Sequence, residues 1–347
     1  MKRIAVDLAK SVFQVAESIH AGQVAQRKRL SREAFVRYIQ QQPEPVEWLM
    51  EACGTAHYWG RVLQARGHRV RLIHARYVRA YRLRNKTDRS DCDAILEAGR
   101  RADLHAVPVK SQEQQLLQQL HGLRETWKKS RTQRINLLRA ILREAGIEAP
   151  TKTREFIQSA HSLVESEELA PLRPELHLIL AEINLYEQCM AESEARIARW
   201  HAEDDIVRKL DEVSGIGVLT ASAVKNAVGQ PERFANGRQL SAWLGMTPRE
   251  HSSGHRRRLG KISGQGNTYV RTLLIHGARS ALLAAKRCRN RTPERLTRLQ
   301  LWALQTADRI GHNKAAVALA NKMVRICWAV WCHERRFSGD WQSARPA

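Results

Sequence analysis

The sequence is short of acidic side chains. Only 35 Asp and Glu residues stand against 58 Lys and Arg, which gives a formal net charge of +23. Such a basic chain favours a polyanionic partner, because Lys and Arg displace the counterions condensed on phosphates, and a membrane surface is the weaker interpretation. Hydrophobic residues still make up 43% of the chain, enough for packed cores, so a disordered polycation is excluded.

Other features are missing as well. Aromatic residues are few, at 6%, which argues against a protein that stacks bases along a single strand. No apolar run approaches the roughly 18 residues of a spanning helix, and the charged start of the chain is no signal peptide. The six cysteines form no CxxC pair, so reduced thiols are expected rather than disulfides or a zinc site. We expect a cytoplasmic protein without a membrane partner.

The first part of the chain, residues 1–105, alternates between strand and helix patterns. Strands are predicted at residues 3–9, 12–19, in a short polar stretch before Leu30, at 46–52 and at 68–75. Helices are predicted at residues 31–41 and 56–66. Three strands followed by alternating helices and strands predict a mixed α/β sheet domain.

The rest of the chain is mostly helical by pattern. Residues 106–205 hold two long amphipathic stretches, at 110–145 and 174–205, which predict either an antiparallel coiled-coil arm or a plain helical hairpin. Residues 206–290 form a segment rich in glycine in its middle, and residues 291–347 form a helical tail. The predicted class is therefore α/β plus α, in four segments.

Carboxylates stand at positions where ligands often gather. Asp7 and Glu51 each end a predicted strand, and strand ends are common ligand sites in mixed α/β sheets. Asp88 and Asp91 are three residues apart, a spacing that puts both on one helix face. Asp93 lies about 140° from Asp88 around a helix, so it points elsewhere.

Two interpretations of these acids are open. Asp88 and Asp91 fit the first turn of a helix, where acids accept amide protons. Alternatively, the four carboxylates converge on Mg²⁺, which prefers oxygen ligands and serves phosphodiester cleavage. The stretch 61–86 holds nine Lys or Arg and no acid, so its last members, Arg82, Arg84 and Lys86, are predicted to hold a nucleic-acid backbone.

Two glycine-containing motifs mark the second half. Gly215 and Gly217 form a hydrophobic-glycine turn that predicts either a phosphate-binding helix-hairpin-helix or a tight helix–helix turn. Further on, Ser252 and Ser253 precede Gly254 and a run of three arginines, Arg256, Arg257 and Arg258. A serine beside cations and glycine fits a phosphate site, a nucleophile or a solvated turn.

Taken together, these motifs resemble a known family. The blocks DLAKSVF (7–13), MEACGTAHYWGRVLQARGHRVRLI (50–73) and NKTDRSDCDAI (85–95) are similar to those of the DEDD transposases of bacterial insertion sequences, to which Piv-type DNA invertases are related. The stretch 234–282 resembles the C-terminal transposase domain of the same family. The resemblance covers about 105 residues at the front and about 80 near the back, in family order.

The resemblance implies a fold and a chemistry. It implies an RNase H-type, RuvC-like first domain whose tetrad, here Asp7, Glu51, Asp88 and Asp91, binds Mg²⁺. It also implies that the serine before the glycine, here Ser253 rather than Ser252, attacks DNA and forms a phosphoserine linkage. Ser263 is a weaker candidate for this role. The neighbouring residues with the character of phosphate or RNA contacts are Lys261, Asn267 and Arg271.

The expected function is that of an insertion-sequence transposase acting on double-stranded DNA, at the element ends and the target. The family implies a noncoding guide RNA that pairs with both DNAs, as in other RNA-guided systems. Synapsis of two duplexes predicts a homodimer or homotetramer. Three alternatives are open: a metal-dependent nuclease of the Holliday-junction-resolvase type, a site-specific DNA invertase, and a non-catalytic nucleic-acid binder.

Overall fold

The computed structural model describes residues 2–20, 23–42, 45–82, 88–254 and 256–340, without the side chains of residues 88 and 89. The chain divides into two compact units, Met1–Leu116 and Leu117–Ala347. Within the described residues all six cysteines are free thiols, as predicted. Two predicted nucleic-acid contacts, Arg84 and Lys86, lie outside the described residues.

The first unit contains a five-stranded mixed sheet. Its strands are β1 (Arg3–Leu8), β2 (Val12–Ser18), β3 (Gln26–Ser31), β4 (Glu47–Glu51) and β5 (Arg69–Ile73). Its helices are α1 (Arg32–Gln40), α2 (Ala56–Gln64), α3 (Ala75–Ala80) and α4 (Asp88–Arg100). The strand order is β3-β2-β1-β4-β5; β1 is antiparallel to β2 and parallel to β4. The predicted mixed α/β sheet is confirmed, and it is consistent with an RNase H-like domain.

Each face of this sheet packs into its own hydrophobic cluster. Ile4 and Val6 of β1 pack with Trp48 and Met50 of β4 against α1 and α2. The intervening residues of the same strands, such as Ala5 and Leu49, pack on the opposite face against α3 and α4. Side chains alternate along a strand, so residues 7 and 51 belong to the face that α4 covers.

The second unit, as far as the structure describes it, is almost entirely helical. Its α-helices are α5 (Gln112–Glu144), α6 (Thr153–Val164), α7 (Arg173–Trp200), α8 (Asp205–Asp211), α9 (Val218–Val228), α10 (Gly237–Trp243), α11 (Thr268–Arg291), α12 (Arg298–Ile310) and α13 (His312–Cys332). A two-stranded hairpin of β6 (Pro248–Glu250) and β7 (Leu259–Ile262) lies between α10 and α11.

The helices α5 and α7 run antiparallel. Ion pairs join Arg134 to Glu182 at 2.5 Å and Arg124 to Glu194 at 2.5 Å, so the α7 numbers rise as the α5 numbers fall. Apolar residues of α5, α6 and α7 form one further cluster around Phe156. The two predicted long helices are therefore present and paired; a coiled-coil twist stays a prediction.

Helix α13 is the element most like a membrane span. By length and composition alone it is apolar enough to cross a bilayer, with a mean hydropathy of 1.3 over its apolar window. Within the protein, however, 44% of that window is buried, and residues such as Ala316 and Met323 lie in the core cluster of the second unit. Packing accounts for this apolar composition.

Candidate active site

The carboxyl edge of the sheet brings two of the predicted acids together. In the register of β1 and β4, Val6 pairs with Met50, which makes Asp7 and Glu51 the next neighbours on adjacent strands. Neighbouring strands lie about 4.8 Å apart, and both side chains belong to the α4 face. Burial raises the pKa of the Cys53 thiol, and the negative charges of Glu51 and Asp7 nearby raise it further. Two strand-end acids thus share one edge.

Helix α4 brings a third acid to the same unit. It begins at Asp88, as predicted, but the side chain of that residue lies outside the described part of the chain. Asp91 is 6% exposed and lies 2.7 Å from Nε of Arg82, whose guanidinium is also 3.8 Å from Glu51. Asp93 points away and pairs with Arg27 at 2.6 Å. The helical geometry therefore separates Asp91 from Asp93 as the sequence indicated.

The acids at this edge are candidate ligands for a divalent metal ion. Within the described residues, no three His, Cys, Asp or Glu side chains form a cluster that holds a metal by itself. Arg82 is the counter-ion of Glu51 and Asp91 in this structure. Its N–H is not aligned with the buried Asp91 Oδ1, and this oxygen accepts no hydrogen bond from the residues that the structure describes. Buried carboxylate oxygens with an unused acceptor fit the chemistry of Mg²⁺, provided that Arg82 gives way.

The two adjacent serines lie at the tip of the β6–β7 hairpin and differ in their contacts. Ser252 Oγ donates to Glu250 Oε1 at 2.7 Å and accepts from the Arg258 amide at 3.1 Å, so it holds the hairpin together. Ser253 is exposed, and among the described residues its hydroxyl has no hydrogen-bond partner. The backbone of Ser253 pairs with Arg256 across the turn. Of the two serines, Ser253 is therefore the one whose hydroxyl is not used by the described part of the hairpin.

Cations surround this tip. Arg256, Arg257, Arg258 and Lys261 are all exposed, and only Arg257 has an acidic neighbour among the described residues, Glu250 at 3.4 Å. Exposed guanidinium groups beside a free hydroxyl suit a transferring phosphoryl group, because they stabilise the charge that develops on its oxygens. The hairpin tip thus combines a potential nucleophile with anion-binding side chains.

Two other predicted contacts have roles within the fold. Asn267 caps α11, since its Oδ1 accepts from the Val270 amide at 3.1 Å. Arg271 donates to the carbonyls of Leu244 and Gln265 at 3.1 and 2.9 Å and so fastens the preceding loop. Their contact with nucleic acid stays a prediction, and these internal bonds already explain both residues.

The glycine turn between α8 and α9 is held by close packing. Gly215 has a φ of +86°, and a Cβ on it would lie 2.5 Å from the carbonyl oxygen of Gly277 on α11. Gly217 caps α9, whose first-turn amides are the groups that a phosphate would contact. The tight helix–helix turn is present; phosphate binding stays a prediction.

This packing predicts a stability effect. Gly215→Ala is expected to lower the free energy of unfolding by about 2–4 kcal/mol, because it adds a backbone clash to the left-handed conformation. Gly146→Ala, at the end of α5, is the matched control, since φ is +75° there and a Cβ would meet nothing within 4 Å. It should cost only about 1–2 kcal/mol. Urea unfolding measures both, and equal losses would contradict the packing role.

A buried polar chain, which the sequence did not indicate, resembles a catalytic triad. His201 Nδ1 is 2.9 Å from Asp204 Oδ2, and His201 Nε2 is 2.9 Å from Ser222 Oγ. Ser222 is also 2.9 Å from Nε2 of His121, whose Nδ1 is 3.0 Å from the Tyr269 hydroxyl. Ser222 is 0% exposed, so no substrate reaches it, and the chain is structural. No local motif marks it, since its five residues come from four separate segments of the chain.

One proton arrangement satisfies the whole chain. The Asp204 carboxylate takes the N–H of His201 Nδ1, so Ser222 donates to His201 Nε2. Ser222 then accepts from His121 Nε2–H, and Tyr269 donates to His121 Nδ1. His121 is a neutral imidazole in this arrangement. Burial, with His201 and Arg124 nearby, lowers the pKa of His121 to about 4, which keeps it neutral at pH 7.

The buried histidine predicts an acid-sensitive fold. The pKa of His121 is below its unfolded value of about 6.5, so the unfolded chain binds more protons between pH 6.5 and 4. Stability is therefore expected to fall by about 3 kcal/mol as pH drops through that window. His121→Gln should remove this part of the pH dependence, and His161→Gln, which changes an exposed histidine, should not. Urea unfolding at several pH values checks this, and parallel curves for wild type and His121→Gln would contradict it.

Comparison with known proteins agrees with the motifs. The DEDD transposase model of IS110 matches residues 4–147, and the model described as the transposase IS116/IS110/IS902 family matches residues 207–293. A "Probable family 20 transposase" of Pseudomonas aeruginosa is 41% identical over 96% of this chain and 98% of its own length. The transposase for insertion sequence element IS1111A of Coxiella burnetii is 34% identical over 97% of this chain and 91% of its own. The transposase for insertion sequence element IS1328 of Yersinia enterocolitica is 32% identical over 96% and 98%.

Two family models thus match in order along the chain, and the relatives align with it over nearly the whole of both lengths. The chain belongs to the DEDD transposase family of insertion sequences, and its activity is the transposition of DNA.

Proposed function

We propose that this transposase cuts and rejoins DNA through a covalent phosphoserine formed by Ser253. The supporting observation is the contrast at the hairpin tip, where Ser252 is hydrogen-bonded within the hairpin and the exposed Ser253 hydroxyl has no partner among the described residues. Arg256 and Arg258 lie on the same tip and have no acidic neighbour in the described part of the chain. A nucleophile needs such access, and a phosphoryl group needs such cations.

The proposed cleavage and rejoining need no external energy source such as ATP, because each bond that breaks is replaced by another. Ser253 Oγ attacks the phosphorus and gives up its proton, and the bond from phosphorus to one deoxyribose oxygen breaks, releasing a hydroxyl. In the reverse step, a hydroxyl of another strand attacks the phosphoserine and frees the serine. One phosphodiester is lost and one is regained, so the covalent linkage conserves the bond energy. The arginines at the hairpin tip hold the phosphate oxygens in both steps.

The acids of the first unit have a separate proposed role. Asp7, Glu51, Asp88 and Asp91 would hold Mg²⁺, which would polarise a phosphodiester oxygen. With Mg²⁺ bound, Arg82 would no longer be needed as the counter-ion of Glu51 and Asp91 and would be available for the DNA backbone, together with Arg84 and Lys86. The unused acceptor at Asp91 Oδ1 supports this assignment. The turn at Gly215 and Gly217, with Lys261, Asn267 and Arg271, would add backbone contacts in the second unit.

Partners follow from charge and surface. The net charge of +23 suits a noncoding guide RNA as well as the DNA of the element ends and target, and we place this action in the bacterial cytoplasm. A homodimer or homotetramer is proposed from leucines left exposed on the paired long helices. Leu178 and Leu185 of α7 lie seven residues apart and are 69% and 55% exposed. Heptad spacing of exposed leucines is typical of helices that pack on another chain.

The test is an assay with element-junction DNA, target DNA, Mg²⁺ and RNA transcribed from the flank of the element. Denaturing gels resolve a protein–DNA adduct, free cut ends and joined products. An adduct together with joined products supports the proposal. Free ends without an adduct identify a metal-dependent nuclease, and binding without cleavage identifies a non-catalytic binder. Inversion of a segment within one DNA molecule identifies an invertase. Full activity without RNA removes the guide RNA from the proposal.

A further inference from the structure

A groove on the second unit lies beside the hairpin that carries Ser253. Its volume is about 500 Å³. One wall is the base of the hairpin, with Pro248 of β6 and Ile262 of β7, and the other is α13, with Trp302 of α12 at one side. Asn321 of α13 fastens the two walls, since its Nδ2 donates to the Met246 carbonyl at 2.9 Å. The family models end at residue 293, so α12 and α13 have no role assigned by them.

The groove is strongly basic. Lys314, Lys322 and Arg325 of α13 line it, and they fall within about 80° of one another around the helix. Among its lining residues, all of which the structure describes, none is acidic. Lys322 is held 4.2 Å above the centre of the Trp302 ring. Burial and the neighbouring Arg325 lower the pKa of Lys322, a cost that a bound phosphate would offset.

Apart from Asn321, the remainder of the lining is apolar. Met246, Pro248, Ile262 and Val317 face the space between the cations and the hairpin. The backbone of a paired duplex presents phosphates and sugars, and its bases are stacked inside, so it offers no apolar surface to the apolar part of the groove. An unpaired nucleotide presents a phosphate and an apolar base face together, and pockets of about 300–1,000 Å³ take ligands of its size.

We propose that this groove binds an unpaired segment of the DNA strand next to the phosphodiester that Ser253 attacks. Its phosphates would contact Lys314, Lys322 and Arg325, and one base would rest on the apolar floor. Because the hairpin base forms one wall, the bound strand positions the hairpin tip. The inference rests on the proposed cleavage and rejoining, in which strands are unpaired before exchange. DNA is chosen because the family acts on DNA.

The first experiment measures binding of the full-length protein to a labelled short oligothymidine by fluorescence anisotropy over a salt series. Arg325→Gln is expected to weaken binding about tenfold, the worth of one charge-assisted contact, and to lower the salt slope by about 0.7. Arg287→Gln removes the same charge from an exposed position of α11 outside the groove and should change binding less than about twofold. Lys322→Arg should retain binding, because it keeps the cation over Trp302.

Equal losses for Arg325→Gln and Arg287→Gln would overturn the proposal, since they would reflect net charge alone. A selective loss for oligouridine RNA, with DNA binding unchanged, would overturn the assignment to DNA. The second experiment is photocrosslinking of DNA that carries iododeoxyuridine, with peptide mapping. Crosslinks to Trp302 or Met246 support the groove, and crosslinks confined to other peptides overturn it. Both experiments measure DNA binding and not cleavage. Their results therefore test the groove even if the wild-type protein forms no phosphoserine adduct.

Discussion

Ser253→Ala is expected to abolish the covalent protein–DNA adduct and to lower strand exchange by at least about 10⁴-fold. The substitution removes the only atom that forms the proposed bond to phosphorus. It removes no hydrogen bond within the described residues, so the hairpin and the stability of the chain should stay unchanged. The measurement is the adduct on a denaturing gel with element-junction DNA, together with the rate at which joined product forms.

Ser252→Ala is the matched control for this prediction. It removes the hydrogen bonds to Glu250 and from the Arg258 amide and so loosens the hairpin tip. An exposed hydrogen bond is worth about 1 kcal/mol, so the loss of both should lower exchange by no more than about 30-fold, and the adduct should persist. An adduct that survives Ser253→Ala, or one that disappears with Ser252→Ala alone, would transfer the role to another residue.

Asp91→Asn should lower Mg²⁺-dependent DNA cleavage by about 100- to 1000-fold, the usual cost of losing one electrostatic group at a reacting centre. The amide keeps the size of the side chain but loses the charge that the metal needs. Asp91 is nearly buried beside Arg82 and faces the edge that holds Asp7 and Glu51. Cleavage rates across a Mg²⁺ titration, and the binding of Mn²⁺ followed by calorimetry, measure the effect.

The control lies two residues away on the same helix. Asp93→Asn breaks a half-exposed ion pair with Arg27, which is worth roughly 0–1 kcal/mol, and it should leave cleavage and metal affinity nearly unchanged. If both variants cleave at the wild-type rate, the carboxylates of α4 are no metal ligands, and Arg82 is the lasting partner of Asp91. If both variants lose activity equally, the cause is a less stable α4 and not the loss of a metal ligand.

The sequence by itself was enough to predict the strands of the sheet, the two long helices and the acidic residues at the strand ends. Local periodicity was sufficient for the five strands of the sheet and for the long helices α5 and α7, because alternation and 3.6-residue spacing are properties of neighbouring residues. The same helical geometry separated Asp91 from Asp93. The motif blocks, together with the basic composition, were sufficient to identify the family.

Only the tertiary structure decided which of these residues meet. The register of β1 against β4 sets Asp7 beside Glu51, and no local pattern encodes pairing between segments 44 residues apart. The hydrogen bonds that the Ser252 hydroxyl makes within the hairpin are likewise visible only in the folded chain. The buried chain from Tyr269 to Asp204 and the basic groove on α13 each join residues from helices far apart in sequence. Such sites depend on packing between elements, which is a property of the folded chain and leaves no period in the sequence.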